Sequence, residues 1–131
     1  MISRETIESA LRALNAAEND RINTTVEATS ARIDAIMAAD VEGWRNGVHF
    51  PSRDSEREIE RKAFGALADY NRQFELVIID PPHACITWTI RGSFQGQQVS
   101  APGCSTFEFN AEGRVRRYWM YFNPADFSYR S

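Results

Sequence analysis

From Phe74 to Phe122 the chain reads as four consecutive β-strands, and this run constrains the fold more than any other feature. Ala84–Phe94 alternates, with Ile86, Trp88 and Ile90 on one parity and Thr87, Thr89 and Arg91 on the other. That is the period of a strand with one buried face. Burying the threonine and arginine set would cost far more, so the apolar set points inward. Gln95-Gly96-Gln97 predicts a turn, and Val99–Asn110 returns with Ser105, Phe107 and Phe109 inside. Ala101-Pro102-Gly103 predicts a bulge or bend, because proline lends no donor to a ladder. After Ala111-Glu112-Gly113, the strand Val115–Phe122 ends at Asn123-Pro124. Its Arg117 points out, which sends Tyr118, Met120 and Phe122 in and leaves Trp119 and Tyr121 outside. The remaining strand, Phe74–Asp80, stops at Pro81-Pro82.

The preceding half is helical, over about residues 3–71, with a short hairpin at 41–50. Ser3 can cap a helix carrying Ile7, Leu11 and Leu14 at helical spacing. Ile33, Ile36 and Met37 form a second stripe behind Thr29-Ser30, with a break near 19–20 or near 28–29. Asn46-Gly47 between Val41–Trp44 and Val48–Phe50 is a hairpin signal. Ser55 and Glu58 have capping-box spacing, and Ile59, Ala63, Leu67 and Tyr70 share a face, so a third helix is expected to about Asn71. Helices gathered before antiparallel strands imply one α+β domain spanning residues 1–131, its sheet at about 74–123.

Eighteen acidic against 15 basic residues give a net charge of −3, without the basic footprint that nucleic-acid binding needs. No apolar run approaches the ~18 residues of a membrane span. The first residues form no apolar leader, so a cytoplasmic location is expected. Cys85 and Cys104 make no disulfide framework; they share the outward parity of neighbouring strands. Two scattered histidines predict no metal site, and no glycine-rich phosphate loop is present, so no cofactor is expected.

Four stretches together resemble the nuclear transport factor 2-like superfamily, in its SnoaL-like and ketosteroid isomerase-like branch. They are Ala35–Glu42, Phe50-Pro51-Ser52-Arg53-Asp54, Trp88-Thr89-Ile90-Arg91-Gly92, and Phe107–Val115 followed by Tyr121-Phe122-Asn123-Pro124. The resemblance covers about residues 28–127 and implies a cone, with a bent antiparallel sheet wrapped around the helices over an apolar pocket. It implies a homodimer through the outer sheet face, here Arg91, Glu108, Trp119 and Tyr121. It also implies an enzyme without cofactor, acting by proton transfer on an apolar cyclic or polyketide-like compound. Isomerase, dehydratase, cyclase and hydrolase types all occur in the branch.

The acid–base groups of that branch are absent where they would fall. The ketosteroid isomerase base maps to Gly43, its oxyanion aspartic acid to Ser105, and its tyrosine to Ala10 or Arg21. The last-strand aspartate of the cyclases and of limonene epoxide hydrolase maps to Met120. His49, Glu42 and Tyr118 are therefore the candidate catalytic residues, with Trp44, Trp88, Ser105, Phe107, Met120, Phe122 and Asn123 lining the pocket. Against these roles stand ordinary ones: a rim carboxylate for Glu42, a half-exposed strand histidine for His49, core packing for the tryptophans, a turn for Asn123. The alternative function is a non-catalytic ligand-binding or dimeric assembly module of the same fold.

Overall fold

The structure is a computed structural model that describes residues 2–130, and the side chains of 2–127. Helix α1 (Arg4–Asn19) leads through a 3-10 turn (Asp20–Asn23) to α2 (Val26–Asp34). Strands β1 (Met37–Arg45) and β2 (Val48–Phe50) precede α3 (Arg53–Ala63). The long strands β3 (Ala68–Asp80), β4 (His83–Phe94), β5 (Gln97–Phe109) and β6 (Val115–Phe122) complete the sheet, and a 3-10 segment (Pro124–Arg130) follows.

Local chemistry explains the helix ends. The Ser3 hydroxyl accepts from the Thr6 amide, and the Thr25 hydroxyl accepts from that of Ala28. The break thus runs from Asn19 to Thr25, and Thr29, expected near a helix start, is buried inside α2. Met37 belongs to β1 rather than to the helical stripe. Helix α3 begins three residues earlier than expected: Ser52 is the cap, and its reciprocal partner is Ser55. It also ends eight residues earlier, at Ala63, because Gly65 takes a φ of +74° that unwinds the chain. Leu67 therefore lies in the bend just before β3 and Tyr70 within β3, not on the helix.

The six strands form one sheet in the order β2-β1-β6-β5-β4-β3. All neighbours are antiparallel except β1 and β6, which run parallel. That pairing makes the sheet mixed rather than wholly antiparallel. Asn46 (φ +51°) and Gly47 (φ +83°) form the β1–β2 turn, and Gln95 (φ +50°) and Gly96 (φ +80°) the β4–β5 turn, the left-handed pairs that tight hairpins favour. The expected bulge at Pro102 does not occur: β4 and β5 stay in register from His83↔Glu108 to Phe94↔Gln97. The β6 ladder ends at Gly103, so Pro102 has a strand neighbour on one side only. Its missing donor then costs the ladder nothing.

The core is the interface between α1 and the inner sheet face. Ile7, Leu11, Leu14 and Ala17 pack with Ile86, Trp88, Phe107, Phe109, Val115 and Tyr118. The inward parity expected for β4, β5 and β6 holds at Ile86, Trp88, Phe107, Phe109 and Tyr118, all buried. No helix among the described residues is long and apolar enough to cross a membrane.

Candidate active site

The curled sheet and the three helices enclose a cavity of about 460 Å³. Its floor is apolar: Trp88, Ile90, Phe107, Met120 and Phe122 contribute from β4, β5 and β6. Helix α3 closes the far side with Glu56, Ile59, Glu60 and Ala63. No residue of α3 is fully buried in protein. Its inward side faces the cavity rather than a packed core.

Polar groups reach this space from several elements. Arg45 Nη2 donates to Glu56 Oε2 at 2.8 Å, joining β1 to α3 across the cavity edge. Arg21 donates to Glu18 at 2.7 Å and lies 4.5 Å over the Tyr70 ring. Burial and the Glu18 carboxylate push the Tyr70 phenol up to about 12. Glu60 Oε2 accepts from the Ser30 hydroxyl at 2.6 Å. Burial raises the Glu60 pKa above the ordinary carboxylate value; the Ser30 hydrogen bond opposes this, and the charges of Glu18, Glu56 and Asp34 reinforce it.

Tyr118 is 3% exposed, lines the cavity, and its hydroxyl has no hydrogen-bond partner among the described residues. A buried hydroxyl without a partner is costly, of order 1–3 kcal/mol, so it marks a place where a ligand atom would be stabilised. The ring is held by Gly43, its register partner on β1. A methyl group on Gly43 would come within 2.1 Å of the Tyr118 ring carbons. Gly43 stands where the resemblance places a general base, and Tyr118 fills the space such a carboxylate would need.

Of the residues expected in the pocket, Trp88, Ser105, Phe107, Met120, Phe122 and Tyr118 line the cavity. The Ser105 hydroxyl accepts from Trp88 Nε1 at 2.9 Å, both residues being buried. Glu42, Trp44 and His49 are not in the cavity. Register decides this: Gly43 and Arg45 pair with inward Tyr118 and Met120, whereas Glu42 and Trp44 pair with outward Arg117 and Trp119. His49 pairs with Trp44 and so shares its outer face. There the His49 ring stacks on Trp44 at 4.8 Å, and Trp44 stacks on Trp119 at 5.4 Å. His49 Nε2 also lies 2.9 Å from Glu42, and that hydrogen bond is the main cause of the lowered Glu42 pKa. Asn123 is exposed at the strand end, where its side chain accepts from the Ala125 amide and forms a turn.

The outer face carries the four residues expected for it. Arg91 donates to Gln73, Glu108 meets His83 and Arg117, and Trp119 completes the aromatic stack. Tyr121 is 51% exposed. Cys104 pairs with Thr87 and Cys85 with Thr106, so the two thiols are diagonal neighbours, both free. Among the described residues no group of three or more histidine, cysteine or acidic side chains could hold a metal ion.

The sequence reading missed Glu18, Arg21, Arg45, Glu56, Glu60 and Arg72, all of which line the cavity. The charged residues of α1 and α3 resemble an ordinary solvated helix face. The available signal was Gly65 behind Arg61-Lys62, a helix C-terminus that would have placed Arg72 in a strand.

Residues 11–118 match the SnoaL-like domain family, and the chain belongs to it. No curated protein matches the sequence. Among solved structures, the chain resembles an LEH-like epoxide hydrolase of M. tuberculosis, at 16% identity and a TM-score of 0.72, covering 93% of this chain and 86% of that one. AclR from Streptomyces galilaeus gives 16% identity and a TM-score of 0.78, over 98% and 96% of the two chains. An NTF2-like protein of unknown function from Exiguobacterium sp. 255-15 gives 15% and 0.73, over 87% and 98%. At these identities the likeness is one of fold.

Proposed function

We propose that this protein is a small-molecule enzyme that transfers protons inside the cavity without a cofactor. Its substrate is an apolar cyclic or polyketide-like compound, and the reaction is an isomerisation, dehydration, cyclisation or epoxide hydration. The observation that carries this is the buried Tyr118 hydroxyl, without a partner among the described residues, on a residue that lines an apolar-floored cavity which Glu60 also lines. An enzyme of this kind needs at least two polar groups converging on one cavity.

In this reading the substrate body lies on Trp88, Phe107 and Met120, and its oxygen accepts the Tyr118 O–H. A hydrogen bond aimed at developing charge in a dry site favours the transition state over the ground state. Glu60, its pKa raised, holds or returns the proton nearer neutral pH than an ordinary carboxylate. Arg45 lies 5.7 Å from the Tyr118 ring and holds Glu56 in place. Family membership and the fold shared with the M. tuberculosis epoxide hydrolase support this class. The outer-face pair His49 and Glu42 is left out of the chemistry.

A second reading, a ligand binder without turnover, is favoured by Gly43, Ser105 and Met120 standing at the family's acid–base positions. The test is a turnover panel of cyclic epoxides, β-keto esters and cyclic enones, each also in a carboxylate-bearing form, with the wild type, Glu60→Gln and Tyr118→Phe. The enzyme reading expects conversion of one class, reduced about 10²–10⁴-fold by Glu60→Gln. Binding without conversion of any class would favour the second reading.

A further inference from the structure

Arg72 is a cation the proposed chemistry does not use. It belongs to β3, is 6% exposed, and lines the cavity. The other cavity arginines have carboxylate partners: Arg21 meets Glu18 and Arg45 meets Glu56. Arg72 has none within ion-pair distance among the described residues. Its guanidinium makes one long bond, Nε to Asn15 Oδ1 at 3.4 Å, and lies 5.3 Å over the Phe74 ring. Nη2 is buried with no hydrogen-bond partner among the described residues. An unpaired buried cation is strongly unfavourable.

The position is nonetheless fixed. The Asn19 amide of α1 donates to the Arg72 carbonyl at 2.9 Å and accepts from its N–H at 2.6 Å. Asn15, one turn earlier on the same helix face, takes Nε. The β3 edge and α1 thus hold the backbone and the Nε side of the fork, leaving both Nη nitrogens for another acceptor. On the inward face, Arg72 is the register partner of Ile90, so an apolar surface adjoins the charge. Tyr118 lies across the sheet on β6, three inward rows away.

We propose that the cavity takes an apolar carboxylic acid, its carboxylate held by the two Nη groups of Arg72 and its ring system laid over Ile90, Trp88 and Met120 towards Tyr118. This names the substrate class for the site proposed above and rests on that site being a ligand cavity. A planar carboxylate matches the geometry of a guanidinium fork, and desolvation strengthens the pair. The charge would also select against the uncharged ester or amide of the same body, which leaves the cation unpaired.

The test is binding, read separately from turnover. Calorimetry would compare 2-naphthoate, 4-biphenylcarboxylate and 3-phenylpropionate with their carboxamides, on wild type, Arg72→Met and Arg72→Lys. At least one acid is expected to bind wild type about tenfold or more tighter than its amide, a ratio typical of a charge-assisted bidentate pair. Arg72→Met should abolish the preference, and Arg72→Lys should retain part of it. Arg72→Met without ligand should melt no lower than wild type, because it removes an unpaired buried charge. That check also shows the variant is folded. Equal binding of acid and amide by wild type, binding of neither, or a preference surviving in Arg72→Met would each overturn the assignment. If acids bind in this pattern and nothing turns over, the carboxylate site stands and the enzymatic reading falls.

Discussion

Replacing Gly43 by alanine should cost this protein stability and move Tyr118. Gly43 has no left-handed φ, so its backbone suits any residue. On backbone entropy alone, alanine would stabilise by about 0.4–1 kcal/mol. The added Cβ, however, would lie 2.1–2.6 Å from three atoms of the Tyr118 ring, distances that real contacts do not reach. The ring is 3% exposed and walled by core neighbours, so it cannot swing freely. Overpacking of this kind typically costs about 1–3 kcal/mol, which outweighs the entropic gain. For a chain of this length that is roughly 3–5 °C of Tm per kcal/mol. Thermal unfolding by circular dichroism would be run on Gly43→Ala, Tyr118→Leu and the double variant. Leucine removes the ring, so the penalty of Gly43→Ala should largely vanish in the Tyr118→Leu background. A Gly43→Ala protein as stable as wild type, or a penalty unchanged without the ring, would show that the Tyr118 ring does not exclude a side chain at position 43.

Other consequences are open to the same kinds of assay. A Cβ on Gly103 would lie 2.4 Å from the Trp88 ring, so Gly103→Ala should destabilise by about 1–3 kcal/mol and perturb the Trp88–Ser105 hydrogen bond, seen as a shifted indole resonance. Glu60 has a folded-state pKa above its unfolded value near 4.5, so it binds protons more readily when folded. Its contribution is present below pH 4.5 and is lost as pH rises through the folded pKa. The stability difference between Glu60→Gln and wild type should therefore grow in favour of the variant over that window; urea unfolding at stepped pH checks it, and a pH-independent difference counts against it. The exposed Tyr121 beside Trp119 and the apolar edge Leu76 and Ile78 predict self-association through the outer face. Light scattering should find a dimer that Tyr121→Asp weakens, and a monomeric wild type would contradict this.

Inward and outward residues of β4, β5 and β6 were legible because alternation is a local property of a strand. Trp88 and Tyr118 follow from the parity of their own neighbours alone. Trp44 and His49 do not. Their face is set by the parallel pairing of β1 with β6, which joins residues about 75 positions apart, and nothing local to 41–50 encodes that register. Alternation also cannot tell a helix face from a strand when the spacing fits both. Ile59, Ala63, Leu67 and Tyr70 fit a helix, yet Gly65 ends it, and the chain turns to bring Arg72 into the cavity wall. Glu60 was illegible for a different reason. On α3 it is one charge among many, and only the curl of the sheet makes its side of the helix an interior.

In the proposed function, ligand chemistry belongs to the inside of the sheet and not to the aromatic stack outside it. The chain has three tryptophans, one inside and two outside, and so three reporter indole N–H groups. A ¹⁵N–¹H correlation spectrum recorded while titrating a bound member of the ligand panels reads both faces at once. The Trp88 resonance should move with ligand while those of Trp44 and Trp119 hold still. Movement of Trp44 and Trp119 with Trp88 unchanged would place the site on the outer face, with His49 and Glu42, and would rule out the interior cavity as the ligand site.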